Sequence, residues 1–404
     1  MVEIEDVVIT DYLRTAMSRS RPKEPERDVF VNYRADELLG LVLREMVARN
    51  PFDPKDIDEV VTGCAYPVHE NWLYGGRNPV FLAGLPENVP SIGVDRQCGS
   101  SMSSMHIAAM EIMTGNAEIA VAAGMEHMTR IPMMGDHVKH NEKLLDTTNY
   151  PEYAEYDLET GFSMIQTAQK LWEQNPDISR EDMDRWAIGS HTKAAQARDA
   201  SYFEGEILPV EGTLPDGTPT LISNDQSIRE GSTLEQMAEL PPVSKGIDKD
   251  PQITAGNSSP LNAGAGCCVL MSRRKAEELG VKPLARIAGM AWAGVNPGIM
   301  GSGPVPASQK ALARAGLSAT DINFWELNEA FAIVPLYAIK QLGLDEEKVN
   351  VKGGAIALGH ALGLTGLRLV CTLARILHLN GGHFGLAAPC IGGGQGTATI
   401  IELI

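Results

Sequence analysis

Contiguous apolar runs alternate along this chain with stretches whose apolar positions recur at helical spacing. ELLGLVLREMVARNP reads as an amphipathic helix closed by a turn, and DIDEVVTGC, from Asp56, follows it as a short buried strand. The same succession returns 265 residues later, as SQKALARAGLS and then DINFWELNE from Asp321. Downstream of the first strand, QCGSSMSSMHIAAMEIMTGNAEIAVAAG sets Cys98 just before a helix with Met102, Met105, Ala109 and Ile112 on one face. GHALGLTGLRLVCTLARILHLNGGHFGLAAP sets His360 in the same place, 262 residues further on, before a helix with Leu364, Leu367, Cys371 and Ala374. Both helices stop at glycine, at 114–116 and 380–382, as helix C-termini favour. Buried strands start near Ile119 and Phe384, and NAGAGCCVLMS and GGGQGTATIIEL supply a last strand to each half. Strand, helix, strand, helix, strand in duplicate predicts two similar α/β halves with mainly buried sheets.

Residues from about 131 to 259 have no counterpart in the second half. They mix Met, Gly, Asn and Asp with helical pieces such as SMIQTAQKLWEQ and REDMDRWAIGSHTKAAQA, and read as an insertion of the kind that covers a site. The predicted division is therefore 1–130 with 260–282 as the N-terminal half, 131–259 as an inserted loop domain, and 283–404 as the C-terminal half.

Composition narrows the function. Lys and Arg number 34 against 52 Asp and Glu, a net charge of −18, which argues against a nucleic-acid binder. No apolar run approaches the ~18 residues of a membrane span. The acidic start MVEIEDVVITDYLRT runs straight into a strand pattern, unlike a targeting peptide, and the end, TIIELI, has no retention tripeptide. Six cysteines without a Cys-x-x-Cys pair suit reduced thiols, so a cytoplasmic protein is expected.

Cys98, in VDRQCGSSM, would face the unpaired N–H groups and positive dipole of a helix N-terminus, which favour its thiolate. Taken alone the same pattern suits a buried structural cysteine; the glycine and serines that follow favour close approach of a substrate. His360 lies in GGAIALGHALGLTG, and the repeat makes it the counterpart of Cys98, so the two would meet between the halves with the imidazole as acid or base. Cys390 opens CIGGGQG, whose successive N–H groups can bind an oxyanion; a plain strand-end turn fits equally well. In NEAFA, Asn328 and Glu329 fall at the C-terminal end of a strand, where sites gather in α/β folds, or else begin a helix. His137-x-x-His140 lacks further ligands, so no metal is expected; Cys267-Cys268 reads as core; no glycine segment matches a dinucleotide or phosphate loop. Met164 and Met300 lie beside the suspected site loops.

Together QCGSSM, NEAFA, GGAIALGH and CIGGGQG, with GMEHM at 124–128, TAGNSS at 254–259 and IMGSGPVPAS at 299–308, resemble the thiolases over essentially the whole chain, and the degradative 3-ketoacyl-CoA thiolases within them. The resemblance implies a duplicated αβαβα layered core with a loop domain over coenzyme A. It implies an acyltransferase in fatty-acid β-oxidation or aromatic-acid degradation: Cys98, activated by His360, attacks a 3-ketoacyl-CoA, Cys390 protonates the departing enolate, and CoA takes the acyl group from Cys98. His360 with a water held by Asn328 would form one oxyanion hole, and the N–H groups of Cys98 and Gly392 the other. Arg229, Ser259, Met164, Met300 and Phe331 stand at expected CoA contacts; CoA is a substrate, and no permanent cofactor is implied. Ala361 and Leu364 after the histidine, SMIQTAQ, Pro260 and Ala263 depart from the family pattern beside the expected pocket, which suggests a branched, aromatic or carboxylated acyl group. The family further implies a homodimer or homotetramer, with a hydratase–dehydrogenase or small accessory subunit as partners of some members. Rival readings are an acetoacetyl-CoA-forming thiolase, a ketoacyl-synthase-type condensing enzyme, which the second cysteine and NEAFA disfavour, and a silent acyl-CoA-binding subunit.

Overall fold

The structure, a computed structural model, describes residues 4–404 apart from 134, 136 and 245. The first half contributes β1 (Val7–Thr15), α1 (Ala35–Ala48), β2 (Glu59–Gly63), β3 (Ser91–Val94), α2 (Ser100–Met113) and β4 (Ile119–His127). An excursion carrying α3 (Met164–Glu173) and α4 (Arg180–Asp199) precedes its last strand, β5 (Asn262–Ser272). The second half contributes β6 (Ala285–Gly294), α5 (Pro304–Ala315), β7 (Phe324–Leu327), α6 (Ile333–Leu342), α7 (Leu362–Asn380), β8 (Phe384–Ala388), β9 (Cys390–Ile391) and β10 (Gln395–Glu402).

The strand pairings repeat. In the first half β2 runs parallel to β3 and β4, β4 antiparallel to β5, and β5 antiparallel to β1. In the second, β7 runs parallel to β8, β8 antiparallel to β10, and β10 antiparallel to β6. The counterpart of β3 is reduced to a single parallel bridge between Trp325 and Val349. The sequence pattern predicts separate halves; the structure joins them into one path, β7-β8-β10-β6-β1-β5-β4-β2-β3, through a short contact of β1 with β6 at Val8↔Arg286 and Ile9↔Ala285.

Alternation along the strands builds the layers. Val60, Val121, Ala123 and Val269 point to the cluster that holds Leu38, Leu39, Val42 and Leu43 of α1. Their neighbours Val61, Ala120, Ala122 and Leu270 point the other way, into a cluster shared by both central helices. There the predicted faces meet: Met102, Met105, Ala109 and Ile112 of α2 with Leu364, Leu367, Cys371 and Ala374 of α7. Ala387 and Ile401 face this middle layer, while Leu386, Ala388 and Ile400 face α5 and α6 on the far side. Helix, sheet, paired helices, sheet, helix is the resulting order.

One expectation is sharpened and another fails here. Leu364 belongs to the middle layer, where it fills the space over Gly264 and Gly266, and Ala263 is fully buried. Helix α7 is long and apolar enough to cross a membrane by composition alone (mean hydropathy 1.4), which the run-length reading passed over; 83% of that window lies inside the protein as its central helix.

The excursion also holds a hairpin, Val210–Thr213 with Pro219–Ile222, which the sequence pattern did not single out. It is fastened to the core by charge. Arg14 of β1, fully buried, donates to Glu206 at 2.8 Å and to both oxygens of Asp225 at 2.7 and 3.0 Å. Removing one partner of such a buried network typically costs about 3–5 kcal/mol, because it strands the other charge out of water.

Candidate active site

Cys98 stands on a single 3-10 turn, Gln97–Gly99, between β3 and α2. Gln97 adopts φ +46, a left-handed conformation that costs a non-glycine residue about 1–2 kcal/mol. Local bonds hold it: its N–H donates to Asp95 Oδ1 at 2.9 Å and its amide to the Ala65 carbonyl at 3.0 Å. The turn packs Cys98 into a buried apolar cluster with Ala65, Met128 and Leu362, flanked by Tyr66 and Met133. Gly99 admits the facing strand, since a Cβ there would sit 2.4 Å from Ile391 Cδ1. Burial pushes the Cys98 thiol up to about 11, and the N–H of Gly392 only partly opposes it. The helix N-terminus therefore does not yield a resting thiolate; desolvation prevails.

His360 is carried by the turn before α7. Gly359 ahead of it has φ +112 and lies against the Asn262 side chain, a place for no other residue. The His360 N–H donates to Asn262 Oδ1 at 2.7 Å. Its Nδ1 lies 2.6 Å from Thr365 Oγ1, whose own hydrogen is directed to the Ala361 carbonyl at 2.9 Å. The hydroxyl thus accepts from Nδ1–H, and the Nε2 lone pair is left toward the site, where Asn328 Nδ2 approaches to 3.3 Å. Burial, then the Arg368 charge, pushes His360 down to about 3, so the ring is neutral.

Asn328 follows β7 directly, fully buried, and its Oδ1 has no hydrogen-bond partner. Cys390 does not end β8 as the pattern suggested; it comes after Pro389 and opens β9, paired to β10 at Cys390↔Gly396. Burial and then the neighbouring Cys98 push its thiol well up, opposed by hydrogen bonds from its own N–H, from Asn328 and from the Ala330 backbone. Two thiols, an imidazole and an amide therefore meet, the first half giving Cys98 and the second the other three.

Two buried carboxyls support them. Glu329 accepts from Trp186 Nε1 (3.0 Å), Ser190 Oγ (2.7 Å), Asn350 Nδ2 (2.8 Å) and the Ile356 N–H (3.1 Å), tying α4 to the loops of Asn328 and His360. Glu126 accepts from the N–H groups of Ala65 (2.9 Å) and Gly363 (3.1 Å) and from Asn71 Nδ2 (3.2 Å), at the start of α7; burial pushes it up to about 7. Sequence reasoning missed the parts played by Thr365, Asn262, Gln97 and Glu126. Only the small polar residue five places after His360 offered a signal.

Met300, Phe331 and Cys390 share one buried cluster, with Met164 packed on it. A Cβ at Gly392 would lie 3.5 Å from Met164 Sδ. The Ser259 N–H donates to the Ala330 carbonyl at 3.0 Å, beside Phe331. Arg229 sits in a cationic patch with Arg19 and Arg21; burial and then Arg229, Arg21 and Arg27 push Arg19 down to about 10. Its segment reaches His360 indirectly: Asn262 donates to Ser227 at 3.1 Å while accepting from the His360 N–H. His137 and His140 are not joined by further ligands, and no group of three or more metal-capable side chains occurs among the described residues.

Residues 7–274 match the thiolase N-terminal domain family and residues 281–403 the thiolase C-terminal domain family. A 3-ketoacyl-CoA thiolase of Aliivibrio fischeri is 42% identical over 99% of this chain and 100% of its own. The crystal structure of human mitochondrial 3-ketoacyl-CoA thiolase superposes with a TM-score of 0.87 at 32% identity, covering 100% of both chains. The same human enzyme in complex with CoA superposes with a TM-score of 0.86 at 32% identity, over 100% of this chain and 99% of that one.

Proposed function

The chain belongs to the thiolase family, and from that premise we propose that it cleaves 3-ketoacyl-CoA thioesters with coenzyme A through an acyl group carried on Cys98. The observation that carries the reading is the meeting of Cys98, His360, Asn328 and Cys390 from two half-folds at one buried point.

His360 Nε2 takes the proton of Cys98 as Sγ attacks the keto carbon C3. The negative oxygen so formed lies by the N–H groups of Cys98 and Gly392, the second of which already donates to the resting thiol. Collapse breaks C2–C3, leaves the acyl group on Cys98, and releases an enolate of acetyl-CoA that takes its proton from Cys390. Asn328, through a water, and His360 face that enolate oxygen. The proton on His360 then returns to Cys390, and His360 removes the thiol proton of the incoming CoA. The CoA thiolate displaces Cys98, which recovers that proton from His360. Every proton taken up is returned over the cycle, and covalent catalysis divides the carbon–carbon cleavage in two.

The apolar surroundings of Cys98, with Met128, Leu362, Tyr66 and Met133, suit a hydrocarbon acyl chain in a degradative pathway. Arg229 with Arg19 and Arg21 suits the phosphates of CoA, under a loop domain taken as 131–259 between halves 1–130 plus 260–282 and 283–404. A homodimer or homotetramer in the cytoplasm completes the proposal; edge strand β3, with Ile92 and the adjoining Trp72 and Tyr74 exposed, favours a pairing between copies. Mass spectrometry after mixing with a 3-ketoacyl-CoA without CoA should find the shortened acyl group on Cys98 and none in Cys98→Ala. An acyl group elsewhere, or full turnover by Cys98→Ser, refutes the mechanism.

A further inference from the structure

Away from the site, a cleft of about 420 Å³ opens where α4, the turn at 351–354 and α7 meet. Its walls carry three cations, one from each element: Lys193, Lys352 and Arg375. No carboxylate lines it, in a chain whose net charge is −18. Lys193 and Lys352 make no ion pair among the described residues, and the only carboxylate near Arg375 is buried Glu206, 3.9 Å from Nε. That Nε is buried without a hydrogen-bond partner, and Nη2 on the same edge of the guanidinium is anchored on the Tyr202 and Glu204 carbonyls at 2.6 and 3.0 Å, which leaves Nη1 without a protein partner among the described residues. The ring of Tyr202 braces the cations from beneath, with Lys352 Nζ 4.9 Å and Arg375 Cζ 5.4 Å from its centroid. Gln196 and Ser201 add polar groups to the rim, and Ser201 is held at φ +53.

Three like charges gathered round a concave surface repel one another unless an anion joins them. We propose that this cleft is a second anion site, distinct from the thiolytic centre, which binds a compound carrying a diphosphate group, either a nucleoside diphosphate or inorganic pyrophosphate. Such a ligand bridges the loop excursion to the core at a sensitive point. Lys352 precedes Gly353, whose backbone lies against Ser190 and Ala194 of α4, and Gly354 donates to Ser190 Oγ at 3.0 Å. Ser190 in turn donates to Glu329, next to Asn328. Occupancy would clamp α4 onto the loops that hold the catalytic groups.

Calorimetric titration of the full-length protein with pyrophosphate and, separately, ADP tests this. Arg229→Ala, which weakens the proposed CoA phosphate contact, should bind each ligand at one salt-sensitive site, while adding Lys193→Ala/Lys352→Ala to it should weaken that binding at least about tenfold; Lys193→Ala/Lys352→Ala alone should keep its ligand-free thiolysis. Tighter binding of ADP than of pyrophosphate identifies a nucleotide site, and equal binding a site for the diphosphate alone. Undiminished binding when the lysine pair is removed from Arg229→Ala, or no saturable binding up to about 10 mM in Arg229→Ala itself, overturns the proposal.

Discussion

Thr365→Val tests the role proposed for His360 as a base. Thr365 Oγ1 is fully buried, 2.6 Å from His360 Nδ1, with its own hydrogen committed to the Ala361 carbonyl at 2.9 Å. Valine is close in volume and removes only the acceptor. The imidazole then has two choices. It keeps its proton on Nδ1 without a partner, at a cost of about 1–3 kcal/mol for an orphaned buried donor, or it moves the proton to Nε2 and loses the lone pair that receives the Cys98 proton. Either way acyl transfer to Cys98 slows, by about 5- to 150-fold at tenfold per 1.4 kcal/mol. The loss should fall on kcat in an assay following consumption of a 3-ketoacyl-CoA, with KM for CoA within about twofold, because Thr365 does not reach solvent. Thr365→Ser restores the hydroxyl and should recover most of the rate, which a simple packing role would not predict. A Thr365→Val enzyme within twofold of wild type, or a serine variant as slow as the valine one, refutes the assignment of the tautomer.

Two further outcomes follow from burial. Cys98, with its thiol pushed up to about 11, carries about one thiolate in a thousand at pH 8; its alkylation by iodoacetamide should therefore rise about tenfold per pH unit from 7 to 9 without a plateau, whereas a plateau by pH 8 would reveal a resting thiolate–imidazolium pair. Glu329→Gln keeps the shape but leaves an amide nitrogen facing one of four donors; the melting temperature should drop by about 5 °C and thiolysis fall with it, and an unchanged melting curve would mean that α4 is held by its apolar contacts instead.

What the sequence made legible is what periodicity encodes. The faces of α2 and α7 and the unbroken apolar run of β5 could be read because each repeats a local rule, and the two halves could be aligned because the rules recur in one order. The joining of the sheets could not, since the β1–β6 contact depends on two residue pairs that carry no pattern of their own. Leu364 shows the same limit: it departs from the family beside His360 in sequence, and what accommodates its side chain is space left by Gly264 and Gly266 about a hundred residues away. The Cys98 thiolate was expected from a local dipole. The opposing term, removal of the thiol from water by Met128, Leu362 and their neighbours, exists only once four separate segments have come together.

That desolvation gives the duplicated architecture a chemical purpose. Four ionisable groups at the centre are driven toward their neutral forms: Cys98, Cys390 and Glu126 up, His360 down. A site holding an ion pair at rest would have spent its dipoles on that pair. Here they remain directed at charge that does not yet exist. The starts of α2 and α7 supply N–H groups and positive potential from both halves, Gly392 N–H waits on Cys98, and Asn328 stands fully buried with its Oδ1 unpartnered. In the proposed mechanism, attack on a keto carbon creates negative oxygen at that point, and its stabilisation there is an interaction made in the transition state and absent in the ground state, the only kind that lowers the barrier. Two copies of one half-fold meeting through the starts of their central helices arrange this without any metal or cofactor charge having to be invoked.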